Sequence, residues 1–173
     1  MRSVIRFLTA VAVVVASTAA QAGAISTNVW YVFGFYVGFS SPLEGWRSQI
    51  PDGATLPDDG PWTFTLAAPA VLSWTDLQNS GDRFEFFDNG VSIGVSGPDV
   101  PYGSGDCDTI ACALGDSNYG KGSAILGAGN HSLSGTFLGV IGNGFGGFII
   151  PEPGTLALIG MALASLAFTR RRT

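Results

Sequence analysis

The stretch PWTFTLAAPAVLSWTDLQNSGDRFEFFDNGVSIG, residues 61–94, decides the fold. Trp62, Phe64 and Leu66 alternate with Thr63 and Thr65. Leu72 and Trp74 alternate with Ser73 and Thr75, and Phe84 and Phe86 with Arg83 and Glu85. Period-2 alternation of apolar and polar residues is the mark of strands with one face buried. Asp88-Asn89-Gly90 stands between two such runs, and Asn and Gly tolerate the positive φ that a two-residue hairpin turn demands. Further along, HSLSGTFLGVIG (131–142) and GFGGFII (144–150) add two more strands. No convincing amphipathic helix shows between residue 22 and the C-terminal tail. The expectation is an all-β protein, an antiparallel sandwich of about eight strands.

Upstream, NVWYVFGFYVGF (28–39) is apolar on both faces, as a central or covered strand would be. The alternative is an exposed aromatic platform, because Trp and Tyr rings stack on the apolar faces of sugars. A sugar-binding module would likewise present a solvent-facing aromatic row from Trp30, Trp46, Tyr102 or Tyr119. The glycines of LGVIGNGFGGF (138–148) read as bulges, turns and close strand approaches. Two connections, 41–61 and 96–122, are longer than hairpin loops, and function on a rigid sandwich concentrates on such loops.

The chain ends read differently. Arg2 and Arg6 precede the apolar run FLTAVAVVVASTAA (7–20), and Ala20-Gln21-Ala22 supplies small residues for cleavage; residues 1–22 read as a secretory signal peptide cut by signal peptidase. The other end carries Pro151-Glu152-Pro153, an uncharged run Leu156–Phe168, and Arg170, Arg171 and Arg172. About 16 helical residues reach roughly 24 Å against a hydrocarbon core of roughly 30 Å, so the run is a marginal anchor. The arginines would stay cytoplasmic and leave everything before Pro151 outside. Paired prolines hold Glu152 extended and outside any helix or ladder, as a protease prefers its substrate.

This order of elements over the last 23 residues resembles the PEP-CTERM sorting signal of Gram-negative bacteria. The resemblance implies recognition by exosortase, a membrane enzyme of cysteine-protease type, transient residence in the inner membrane through residues 156–168, and release to the surface. It also implies a setting of exopolysaccharide and biofilm. Residues 61–94 with GSAILGAGNHSLSG (122–135) are similar to the ectodomain of many such proteins, itself like CUB or jelly-roll sandwiches. That likeness implies architecture without an activity.

Between the ends, residues 23–150 hold twelve acidic residues against three basic ones, a net charge of −9. An acidic body argues against nucleic acid, whose binders need a basic stripe. Cys107 and Cys112 are the two cysteines, and export with an even count reads as a disulfide pinning the second long loop. A metal site there would need further soft ligands, and His131 is the one histidine. Gly90–Gly94 spells G-x-S-x-G, yet its serine follows a hairpin and not a strand-to-helix elbow. Gly115–Gly122 falls one residue short of a phosphate-binding loop.

Carboxylates crowd the two long loops: Asp52, Asp58 and Asp59 in the first, Asp106, Asp108 and Asp116 in the second. Clustered oxygens of this kind are the candidate ligands for calcium, against the reading of a solvated acidic surface. Asp76, Asp82 and Asp88 form a second calcium candidate, by the CUB likeness. No other cofactor is implied. The functional expectation is an exported, non-enzymatic interaction module of the surface or exopolysaccharide matrix. The alternative is an extracellular hydrolase of matrix polysaccharide, which needs two carboxylates facing each other across a cleft.

Overall fold

The computed structural model describes residues 23–36, 41–45, 54–103, 105–139 and 143–152. The signal segment and the tail beyond Glu152 lie outside them, as do Asp52 and Trp46. Within them the fold is nearly all β, with 54% of residues in strands and 5% in helix, arranged as two packed sheets.

The strands are β1 (Gly23–Ala24), β2 (Trp30–Phe35), β3 (Glu44–Gly45), β4 (Ala54–Thr55), β5 (Trp62–Leu66), β6 (Ala70–Asn79), β7 (Phe84–Asp88) and β8 (Val91–Val95). After these come β9 (Asp106–Cys107), the helix α1 (Ile110–Gly115), β10 (Lys121–Leu126), β11 (Gly129–Phe137) and β12 (Gly144–Ile149). One sheet runs β1-β5-β11-β7-β8. The other runs β10-β6-β12-β2-β3, with β4 on β2 and β9 on β6. Pairing is antiparallel apart from the short β1–β5 and β2–β4 contacts. The strands beyond the expected eight are two-residue pairings on irregular chain, too short for any alternation to reveal.

Alternation places the core as read. Trp62, Phe64, Leu66, Leu72, Trp74, Phe84 and Phe86 are buried between the sheets, joined by Tyr31, Phe33 and Phe35 of β2. The ring of Phe33 meets Phe84 and Phe86 edge-on and stacks near Phe148. Each such side chain contributes about 1.5–3 kcal/mol by leaving water. At Gly122 the strand makes way for this core, because a Cβ there would lie 2.2 Å from the Trp74 indole. The β7–β8 hairpin turns on Asn89 (φ 50°) and Gly90 (φ 79°), as the sequence predicts.

Within the stretch 28–39, β2 is core: it lies between β12 and β3 with its odd residues facing the other sheet, while Tyr36 just after it is 54% exposed. Its outward residue Val32 joins Leu77 and Phe145 in a second cluster, closed over by Cys107, Ile110, Ala113 and Tyr119. The helix in that cover corrects the expectation that the core holds none. Its six residues span under two turns, too few to display periodicity, although Thr109 caps it by accepting a bond from Cys112 N at 3.2 Å.

Candidate functional site

Polar side chains gather at one end of the sandwich, where β6 turns into β7. The turn Ser80–Arg83 needs Gly81, whose φ is 103° and where a Cβ would sit 2.8 Å from the Tyr102 Cα. Tyr102 is thereby laid directly on the turn, and Gly103 N secures it by donating to Ser80 O at 2.9 Å. Arg83 ties the same loop down: its Nε donates to Ser96 O at 3.2 Å and its Nη1 reaches Asp99 Oδ2 at 2.9 Å. Leu138, following β11, donates its N–H to Arg83 O. Between these segments lies an open groove of about 270 Å³, lined by Gly81, Asp82, Arg83, Asp99, Tyr102 and Leu138 among others.

Beneath the groove stand two buried acids. Asp76 lies at the inner end of β6, its Oδ1 accepting from Leu77 N at 2.8 Å and its Oδ2 from Asp82 N at 3.1 Å. These bonds favour the ionised form, but burial, reinforced by the charge of Asp82, outweighs them and pushes Asp76 up to about 9. Burial raises Asp82 to about 7. Asp82 is 4% exposed and lines the groove. Its Oδ2 lies over Gly144, at the start of β12.

Other sequence-predicted residues are dispersed. Asp58, Asp59, Asp106 and Asp108 are exposed, and Asp116 is the C-cap of α1. Asp59 accepts from Gly45 N at 3.1 Å. Among the described residues no three His, Cys, Asp or Glu side chains converge to hold a metal ion. Of the second calcium candidate, Asp76 and Asp82 meet, whereas Asp88 stands at the far end of β7, bound to His131 Nδ1 at 2.8 Å.

Cys107 and Cys112 form a disulfide, Cα atoms 5.5 Å apart. Ser92 lies inside β8 with its hydroxyl on Glu85, so the G-x-S-x-G string makes no elbow. Lys121 Nζ binds the carbonyl oxygens of Asp116 and Tyr119 instead of facing a phosphate. Tyr119 is fully buried, donating to Gln78 O and accepting from Cys107 N, and Trp30 is half-buried. Of the proposed aromatic row, Tyr102 is the described member that stands out in solvent, at 55% exposure. The groove was missed in the sequence because residues 81–83, 99–102 and 138–139 are brought together only by the sheets.

The sorting segment begins at the opposite end of β12. Ile150 is buried and Asn28 grips it on both sides, donating N–H to Ile150 O at 2.8 Å and accepting Glu152 N on Oδ1 at 2.7 Å. Pro151 and Glu152 are exposed immediately after. Pro153, Leu156–Phe168 and Arg170–Arg172 lie outside the described residues, and no described helix is long and apolar enough to cross a membrane. Residues 150–172 match the family model of the PEP-CTERM protein-sorting motif. The chain therefore carries the signal of an exported protein sorted through the membrane and recognised by exosortase. No curated protein matches the chain.

Proposed function

We propose that this protein is a non-enzymatic interaction module of the cell surface or exopolysaccharide matrix of a Gram-negative bacterium. Signal peptidase trims it after Ala22, the 156–168 segment holds it briefly in the inner membrane, and exosortase cuts near Pro151. One observation carries the reading: β12 has the groove at its Gly144 end and the sorting segment at its Ile149 end. A domain held by its tail thus turns the groove away from the membrane. Intact mass and fractionation of the native protein, with and without the host's exosortase, test it. A product ending near Pro151 that reaches the matrix only when the enzyme is present is the expected result. A full-length, membrane-held protein in both strains would overturn it.

A second reading has its own observation. Asp82 and Asp99 line one groove in unlike surroundings, one buried with a raised pKa and one exposed on Arg83, and glycosidases divide acid and nucleophile between two such environments. Release of new reducing ends from host exopolysaccharide by the purified protein, lost in Asp82→Asn, would establish a hydrolase in place of a binding module.

A further inference from the structure

We infer that the groove beside Asp82 is a subsite for one uncharged pyranose unit of a polysaccharide, with Tyr102 as its stacking ring and Asp82 and Arg83 as its hydroxyl partners. The inference rests on the matrix-binding reading and names the ligand chemistry of that site.

Size comes first. At about 270 Å³ the groove falls just below the range of roughly 300–1,000 Å³ typical of small-molecule sites, so it suits one sugar unit of a chain passing over an open surface. Chemistry follows. Asp82 lines the groove while only 4% exposed, so a ligand hydroxyl can reach its carboxyl where little water does. Arg83 spends Nε on Ser96 and Nη1 on Asp99, which leaves guanidinium N–H groups for a sugar oxygen.

Tyr102 offers an amphipathic ring, and it is preorganised: its backbone rests on Gly81 and the next residue is bonded to Ser80. Charge then selects among sugars. Asp82 and Asp99 outnumber Arg83 in the groove, and the surrounding body carries −9, which disfavours uronates and sulfated or phosphorylated units.

The test mixes the mature protein with the neutral and the acidic fractions of host exopolysaccharide, separated by anion exchange, and measures co-sedimentation. Retention by the neutral fraction is expected, weakened about tenfold or more by Tyr102→Ala and by Asp82→Asn. Thermal melts of both variants show that they fold, and exposed Tyr102 can be truncated without touching the core. No retention by the neutral fraction, retention by the acidic fraction alone, or full retention in both folded variants would each overturn the subsite. The matrix reading fails separately, when the native protein stays in the cell membranes and is absent from the matrix.

Discussion

One side-chain pair shows how burial turns ordinary residues into pH-dependent ones. Asp76 and Asp82 titrate near 3.8 in the unfolded chain and at about 9 and about 7 when folded. Raised carboxyls hold protons more tightly in the folded state. Their contribution to stability is therefore complete below about pH 4 and is lost as pH rises through 7 toward 9. Melting followed by circular dichroism should give a Tm lower by about 5–10 °C at pH 9 than at pH 5, and Asp82→Asn should flatten that slope. An equal slope in the variant would show that the pair is not its source. At the other end of β7, the His131 ring bridges two partners, with Nδ1 2.8 Å from Asp88 Oδ2 and Nε2 3.0 Å from Gly127 O. Asp88 Oδ1 is already without a partner among the described residues, so His131→Ala should cost about 2 kcal/mol in urea unfolding. A loss under about 0.5 kcal/mol would mean that water replaces the ring without penalty.

At the level of elements, alternation was readable wherever one face of a strand meets the core, as in β5, β7 and β11. It failed on the outer face of β6 and β2, where Leu77 and Val32 are buried beneath the disulfide loop and break the polar-out pattern. That loop holds by few bonds. Tyr119→Phe removes both hydroxyl contacts, to Gln78 O and Cys107 N, and should lower stability by about 1–2 kcal/mol. Loosening should be local, and faster amide hydrogen exchange across 106–116 with the core strands unchanged is the expected readout. Gly122→Ala strikes the core instead. The new methyl meets Trp74, and overpacking of this kind costs about 1–3 kcal/mol, measurable as a lower urea midpoint with unchanged m-value. The acids Asp76 and Asp82 entered the sequence reading only as calcium candidates, and their burial, which depends on β12 closing beside them, was not visible there.

For the whole molecule, the legible parts were the sandwich, through its alternating strands, and the sorting motif, which is written in contiguous residues. The groove is written in three distant segments and emerges only when the sheets assemble. Asn28 joins the two descriptions, since one residue near the start of the described chain holds both Ile150 and Glu152. Ending the protein after Ile150 in place of Glu152 removes one exposed hydrogen bond and should shift stability by no more than about 1 kcal/mol, checked by melting the two truncated forms side by side. A larger loss would make the first residues of the sorting segment part of the fold. The placement of β12 has a mechanical side. It is flanked by β6 and β2, both antiparallel to it, over nearly its whole length. Ladder bonds lie across the strand axis, so a pull along the strand loads both ladders in shear, all bonds together, and does not peel them one by one. A force applied along β12 from its Ile149 end therefore meets two ladders at once.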